Sequence, residues 1–183
     1  MKKVLLHICC GPCAIYPWRV LEKQNFLVEG LFYNPNIEPY SEYNNRKSAL
    51  DKLQRNLNLT LHYGDYEEDL YHKATKDIRS NKSERCRSCF RLRLEKTCDF
   101  ASDKGFDYFT TTLLVSPYQD QEAIRDIGNR VCENKKSKFW FYDFREGFRQ
   151  TQEKAKELNM YRQRYCGCLY SLEERNNQIK SKI

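Results

Sequence analysis

The residues best suited to chemistry in this chain are its cysteines, because seven of the nine fall into three short motifs. The motifs are Cys9-Cys10-Gly11-Pro12-Cys13, Cys86-Arg87-Ser88-Cys89 and Cys166-Gly167-Cys168. Thiolates bind iron, zinc and iron–sulfur clusters, and closely spaced pairs also form redox disulfides. Seven cysteines exceed the four of a closed structural zinc site, so a four-cysteine cluster would leave a surplus. The three motifs together therefore favour a metal or cluster centre with redox chemistry.

The first motif lies at a predicted strand-to-helix turn, between a strand over Val4–Ile8 and a helix that runs to about Gln24. Gly11 is expected to permit an unusual backbone there, and Pro12 suits the first turn of the helix. A helix N-terminus favours thiolate over thiol, so these cysteines are predicted to be reactive or metal-bound. The alternative interpretation is three small apolar residues in a tight turn.

The other two motifs are less specific when each is taken alone. Cys86 and Cys89 stand where a helix is predicted to begin, near Arg87, and can chelate one iron or zinc or form a redox disulfide. Cys166 and Cys168 can share a metal, or close a strained and easily reduced disulfide.

The remaining cysteines and the histidines are predicted to be structural. Cys98 lies on the apolar face of a helix and Cys132 near a helix end, so both are interpreted as ordinary, partly buried cysteines. His7 alternates with apolar residues of the first strand, which predicts a buried, hydrogen-bonded side chain. Zinc-finger spacing is absent.

Short strands alternate with helices along the chain. Beyond Val4–Ile8, the predicted strands are Leu27–Tyr33, Leu59–Tyr63, Tyr108–Thr112 and Lys138–Phe141. Further helices are predicted at Tyr40–Leu57, Glu67–Arg79, Arg87–Asp103, Gln119–Val131, Gly147–Leu158 and Leu172–Lys180. This alternation predicts a single α/β domain over residues 1–183, with a mostly parallel sheet flanked by helices. Ligands bind at the carboxyl ends of the strands in such sheets, where the first motif is expected.

The composition is that of a globular protein, with 40% hydrophobic and 31% charged residues. This balance excludes a disordered tail or a coiled-coil fibre, and no apolar run approaches the roughly 20 residues that cross a bilayer. The N-terminal apolar stretch runs into Cys9 with no cleavage site, so it is interpreted as a strand and not as a secretory signal. We expect a cytoplasmic protein without membrane contact, where thiols stay reduced.

Basic and aromatic residues are interleaved in parts of the chain, which has 32 lysines and arginines against 25 acidic residues. Such surfaces can pair with phosphates and stack on bases, although solvated or ion-paired side chains are the alternative. The candidates for phosphate contact and base stacking are Arg145, Arg149, Arg162, Arg164, Tyr161 and Tyr165. Ser116–Gln119 follows the fourth predicted strand, so it is expected to line a substrate site or to form an ordinary turn.

Six ordered segments carry a family resemblance, and they span about residue 3 to residue 171. They are residues 7–13, residues 32–37 with Glu42, Tyr43 and Arg46, and residues 84–94, 109–119, 143–147 and 161–168. In sequence and order these segments resemble the QueH family of cobalamin-independent epoxyqueuosine reductases. The resemblance implies a fold like the nucleotide α-hydrolase (HUP-like) group.

The resemblance also implies a reaction, a cofactor and partners. The reaction is two-electron deoxygenation of epoxyqueuosine in the tRNA anticodon loop, with electrons from an external donor such as ferredoxin or flavodoxin. The implied ligands of a [4Fe–4S] cluster are Cys9, Cys10, Cys86 and Cys89. Cys13, Cys166 and Cys168 are the expected catalytic cysteines, the last two as a redox pair or as ligands of an additional mononuclear iron. Some relatives have Asp at the position of Cys13, which leaves the ligands of that iron open.

Two other classes of function remain open from the residues alone. A zinc-binding RNA-interaction module without catalysis would be colourless and redox-silent. A thiol–disulfide or iron–sulfur protein that acts on a small molecule would be coloured but indifferent to tRNA.

Overall fold

Five strands form a parallel sheet in the computed structural model, which describes residues 1–181. The strands are Lys3–His7 (β1), Leu27–Phe32 (β2), Leu61–Tyr63 (β3), Tyr108–Thr111 (β4) and Lys138–Phe139 (β5). Their order across the sheet is β3-β2-β1-β4-β5, and every neighbouring pair is parallel. The predicted fold class is confirmed, while the last two residues of the predicted domain lie outside the described range.

Helices connect the strands and cover the sheet. They are Gly11–Lys23 (α1), Tyr40–Leu57 (α2), Glu68–Thr75 (α3), Lys82–Asp103 (α4), Gln121–Val131 (α5), Phe148–Glu157 (α6) and Leu169–Lys180 (α7), with short 3-10 helices at Thr112–Val115 and Arg145–Gly147. None of the helices within residues 1–181 is long and apolar enough to cross a membrane.

The central strand β1 is buried on both faces. Leu5 packs into the hydrophobic cluster that contains Phe109, whereas Val4 and Leu6 pack into the cluster that contains Phe32. Alternate side chains of a strand point to opposite faces, so a strand covered on both sides is apolar at every position. This double burial fixes the carboxyl end of β1, where the first cysteine motif begins.

The structure corrects the predicted start of α4. The helix begins at Lys82, five positions before the predicted Arg87, because the side chain of Asn81 accepts a 3.2 Å hydrogen bond from the backbone N–H of Glu84 and caps the helix. Cys86 and Cys89 therefore lie inside the helix and not at its first residue.

The expectation that Gly11 permits an unusual backbone is also wrong. Gly11 does not have a positive φ, and among residues 1–181 the glycines that do are Gly105 and Gly167. A Cβ on Gly11 would lie 2.7 Å from the carbonyl oxygen of Ala49 on α2, which is closer than real contacts allow. Glycine is needed at this position because α1 and α2 approach each other closely there.

Candidate metal centre and active site

Three cysteines at the start of α1 form a compact group, the cysteine triad of Cys9, Cys10 and Cys13. Their sulfur atoms all lie within 4.8 Å of one another, and all three residues are buried. Cys10 is the N-cap of α1, where its sulfur accepts a 3.4 Å hydrogen bond from the backbone N–H of Cys13. The cap thus holds the sulfur of Cys10 against the first turn of α1, next to Cys13.

The spacing within the triad is close to that around one metal ion. The sulfurs of Cys9 and Cys10 are 4.0 Å apart. Two thiolates on a tetrahedral ion with bonds of about 2.3 Å lie roughly 3.8 Å apart. Within residues 1–181, the triad is the one group of three such ligand atoms that meets this spacing.

The three thiols of the triad do not ionise alike. The pKa of Cys9 lies well below its usual value because the thiols of Cys10 and Cys13 donate hydrogen bonds to its thiolate. Burial raises the pKa of Cys10, and hydrogen bonds to its two neighbours raise that of Cys13. Cys9 therefore ionises most readily of the three, and a metal bound through all three sulfurs would take them as thiolates.

One cavity of about 580 Å³ brings the three sequence motifs together. Six of their cysteines line it: Cys9, Cys13, Cys86, Cys89, Cys166 and Cys168. The seventh, Cys10, is buried behind Cys9 and Cys13. Cysteines separated by more than 150 positions in the chain thus face a common space at the carboxyl edge of the sheet.

Helix α4 supplies two of these cysteines together with a buried positive charge. Burial raises the pKa of Cys89 to about 12. One turn later, Arg93 is 2% exposed, and its Nη2 lies 3.1 Å from the sulfur of Cys89. Its Nε donates a 3.1 Å hydrogen bond to the carbonyl oxygen of Cys89.

Arg93 has no carboxylate within salt-bridge distance among residues 1–181. A buried guanidinium is costly unless an anion compensates it. The group in contact with Arg93 that can become an anion is the sulfur of Cys89, which does so when it binds a metal. The chemistry of the donor set therefore fits an anionic thiolate–metal centre, and Arg93 would offset its charge.

The third motif lies at the mouth of the cavity. Cys166 is exposed and Cys168 is half-buried, and both are free thiols. The side-chain amide of Gln119 lies 3.4 Å from the sulfur of Cys166. Gly167 between the two cysteines has a φ of +138°, and its carbonyl oxygen accepts a 2.8 Å hydrogen bond from the backbone N–H of Glu38. The turn that presents both thiols is thus held by its backbone.

Helix α2 holds the same turn through Arg46. This side chain is buried and pairs with Glu42 at 2.8 Å. Its Nη1 and Nη2 donate hydrogen bonds of 2.9 and 3.0 Å to the carbonyl oxygens of Cys166 and Tyr165. Sequence analysis identified Arg46 only through the family resemblance, because the two carbonyl groups that it binds belong to residues more than 100 positions away.

The predicted RNA-contacting residues divide into two groups. Arg162 and Arg164 line the cavity, whereas Arg145 pairs with Asp143 and Arg149 pairs with Glu153 on the exposed surface. The hydroxyls of Tyr161 and Tyr165 donate hydrogen bonds to the Glu42 carboxylate and to the carbonyl oxygen of Glu38. Ser116, Tyr118 and Gln119 line the cavity.

The residues predicted to be structural are buried. Cys98 and Cys132 lie in the hydrophobic core. His7 accepts or donates hydrogen bonds at both ring nitrogens, to Thr111 at 2.8 Å and to the carbonyl oxygen of Tyr33 at 3.0 Å. Burial lowers the pKa of His7 to about 4, so the ring is neutral near pH 7.

Sequence reasoning gave no role to several cavity residues, among them Arg93, Thr112 and Tyr71. The hydroxyl of Thr112 accepts a 3.0 Å hydrogen bond from the backbone N–H of Cys9 and lies 3.3 Å from its sulfur. Its position directly after β4 could have indicated this role, because the ends of neighbouring parallel strands meet. Tyr71 carries no sequence signal beyond its aromatic side chain.

The fold and the site define an α/β protein with a thiolate centre at the carboxyl edge of a parallel sheet. The chain belongs to the family described as epoxyqueuosine reductase QueH, whose model matches residues 4–174. A relative of that name from Thermotoga maritima is 38% identical over 185 residues, which cover 97% of this chain and 94% of the relative. Another from Dehalococcoides mccartyi is 35% identical over 175 residues, 94% of each chain. The family resemblance is confirmed.

A solved structure shares the fold without close sequence similarity. It is a predicted subunit of a tRNA methyltransferase from Methanocaldococcus jannaschii, with a TM-score of 0.53 and 12% identity. The match covers 86% of this chain and 77% of the other. It supports the α/β architecture, in keeping with the expected HUP-like group, and carries no information on activity.

Proposed function

We propose that this protein, acting as one domain over residues 1–183, reduces epoxyqueuosine to queuosine in tRNA at a cysteine-bound iron–sulfur centre. The observation that supports the proposal best is the convergence of cysteines from all three motifs on one cavity in a member of this family. Nine free thiols suit the reducing cytoplasm, where we expect the protein to act.

The donor set suits a [4Fe–4S] cluster. Its ligands would be Cys9, Cys10, Cys86 and Cys89. Soft thiolates are the ligands that such clusters take, and hydrogen bonds to their sulfurs tune the cluster. Arg93 and Thr112 are placed to make such hydrogen bonds, to Cys89 and Cys9. Cys13, Cys166 and Cys168 remain for catalysis or for an additional mononuclear iron.

The reaction breaks both C–O bonds of the epoxide and forms a carbon–carbon double bond. Two electrons and two protons are consumed, and the oxygen leaves as water. A bound cluster would supply electrons singly, and an additional iron with an open coordination position would polarise the epoxide oxygen. The electrons would come from an external carrier such as ferredoxin or flavodoxin.

The chain itself would position the substrate and deliver a proton. Arg162 and Arg164 on the cavity wall suit the phosphates of an anticodon loop, and Gln119 can hydrogen-bond the modified base. Tyr71 is buried on the same wall, and burial raises the pKa of its phenol well above the usual value. The phenol is therefore protonated near neutral pH but is a weak acid, and we assign it as the proton donor to the strongly basic alkoxide that forms when the first C–O bond breaks.

An anaerobic absorption spectrum with iron and sulfide counts, followed by an assay on tRNA that contains epoxyqueuosine, tests the proposal. The wild-type protein should be brown, with about four irons per chain, and should form queuosine. Cys9→Ala should lose both colour and turnover, while Cys98→Ala, a core cysteine outside the cavity, should keep both. An active and colourless Cys9→Ala protein would refute the assignment.

The spacing of the triad supports a second candidate, a zinc-binding RNA-interaction module without catalysis. A sulfur–sulfur distance of 4.0 Å matches a single tetrahedral ion more closely than the edge of a larger cluster. The same purification distinguishes the two functions. A colourless protein that binds zinc, takes up no iron under anaerobic reconstitution and forms no queuosine would establish the module.

A further inference from the structure

The wall of the cavity is strongly cationic. Six lysine and arginine side chains line it: Lys82, Arg85, Arg93, Arg162, Arg164 and Arg175. Among the described residues, Glu174 is the one carboxylate on this wall. A concave surface with such an excess of positive charge attracts polyanions.

The carboxylate of Glu174 forms ion pairs with two of these cations. One of its carboxylate oxygens lies 2.6 Å from Nζ of Lys82, and the other lies 3.4 Å from Nη2 of Arg85. The guanidinium of Arg85 also stacks on the ring of Tyr170, 4.3 Å from its centroid. Two cations, each facing a separate oxygen of one anion, form the arrangement that also binds the two free oxygens of a phosphodiester.

The helix that carries Glu174 is weakly attached to the rest of the protein. Helix α7 buries none of its side chains. The ion pairs and cation–π contacts that join it to α4 in the described residues are those of Glu174 and the stacking of Tyr170 on Arg85. The side chain of Lys82 is 69% exposed, so its pair with Glu174 contributes little to stability. The side chain of Arg85 is 9% exposed and needs an anionic partner, which a phosphate supplies as well as Glu174 does. An incoming anion can therefore displace Glu174 at small cost.

We propose that Lys82 and Arg85 form a binding site for a backbone phosphate of the RNA substrate, and that Glu174 occupies this site in the free protein. The carboxylate acts as an internal competitor, and α7 moves away from α4 when the RNA phosphate replaces it. This inference rests on the proposed function for the identity of the RNA. It assigns a site and a competing group that the reaction itself does not require.

Binding of a fluorescent RNA anticodon stem-loop, measured by anisotropy at several salt concentrations, tests the inference. Glu174→Gln removes the competitor, so it should bind the stem-loop about two- to fivefold more tightly than wild type. Glu173→Gln is the matched control, because Glu173 is exposed on the same helix, lies outside the cavity and carries the same charge. It should bind like wild type.

A second variant tests the cationic side of the site. Lys82→Gln should weaken binding and lower the slope of log affinity against log salt by about one, since one phosphate contact is lost. In the double variant Lys82→Gln/Glu174→Gln, most of the gain from Glu174→Gln should disappear, because the two residues are coupled. Lys82 is exposed, so these substitutions leave the core intact.

The inference is overturned if Glu174→Gln binds the stem-loop no more tightly than Glu173→Gln. It is also overturned if Glu174→Gln gains affinity for inorganic phosphate but not for the stem-loop, since the site would then serve a free anion and not the RNA. Failure of the proposed function would give a different result. If RNA binding responds to Glu174→Gln but no queuosine forms, the phosphate site is supported and the proposed reaction is refuted.

Discussion

The guanidinium of Arg46 donates a 2.9 Å hydrogen bond to the carbonyl oxygen of Cys166, a residue 120 positions away. Arg46 is only 1% exposed, and its charge is compensated by Glu42. Since the other terminal nitrogen of Arg46 binds the carbonyl of Tyr165, the forked side chain holds two consecutive peptide groups. Helix α2 thereby sets the position of an exposed thiol at the mouth of the cavity.

We expect Arg46→Lys to release this turn, because an ammonium group cannot reproduce the fork. Turnover should fall, and Cys166 should react faster with iodoacetamide, by about tenfold if roughly 1.4 kcal/mol of restraint is lost. Mass spectrometry of alkylated peptides measures the rate, with the exposed Arg91→Lys as the control. Wild-type alkylation and turnover in Arg46→Lys would contradict a positioning role for Arg46.

Arg93 is expected to affect the metal centre without being one of its ligands. Arg93→Met removes the buried charge beside Cys89, so the centre should bind iron or turn over about 10- to 100-fold less well. The reduction potential of the bound cluster should also fall, since a nearby positive charge favours the reduced form. Iron titration and a spectroscopic redox titration check both effects, and an unchanged potential would exclude electrostatic tuning by Arg93.

Tyr71→Phe separates proton delivery from cofactor binding. The substitution keeps the buried ring and removes only the hydroxyl, so iron content and absorption should match wild type. Turnover should drop by about 100-fold or more if the phenol is the proton donor. Tyr63→Phe, which alters a tyrosine outside the cavity, is the control. Equal turnover in Tyr71→Phe and wild type would show that another group supplies the proton.

Burial of Cys98 predicts a loss of stability at alkaline pH. Burial raises the pKa of its thiol from 9.0 to about 11. Below pH 9 the thiol is protonated in both folded and unfolded chains, so its effect on stability is constant. Between pH 9 and about 11 only the unfolded chain ionises, which lowers the free energy of unfolding by up to about 3 kcal/mol.

Chemical denaturation at about pH 8 and about pH 10 measures this effect. Wild type should lose more stability across the interval than Cys98→Ala, because the variant lacks the titrating thiol. The comparison cancels the contributions of tyrosines and lysines that both proteins share. Equal losses in the two proteins would mean that the native thiol ionises as readily as the unfolded one.

The sequence predicted the sheet and the place of the first motif because both depend on local patterns. The continuous apolar run of β1 indicates a strand buried on both faces, and the turn after it falls at the carboxyl edge. The start of α4 was predicted too late because the cap at Asn81 precedes a charged first turn without apolar periodicity. Local pattern therefore located the elements and only approximated their ends.

The charged residues of the site were harder to predict. Arg46 and Arg93 carry the side chain typical of a solvated surface, yet both are buried. Each has a partner four positions away, Glu42 and Cys89, and only the packing of the fold removes these helix faces from water. Arg145 and Arg149 lie in a segment whose basic and aromatic residues predicted phosphate contact, but they pair with acidic side chains two and four residues away. Composition cannot distinguish these cases, since burial of an arginine depends on contacts across the chain.

The central position of β1 has a consequence for synthesis on the ribosome. The strand that leads into the cysteine triad pairs with both β2 and β4, so it gains its second neighbour only after Thr111 has been made. Cys166 and Cys168 are made later still, more than 50 positions after Thr111. The nascent polypeptide must therefore keep its earliest thiols reduced and free of metal until the third motif has been made, and only then can metal enter a complete site.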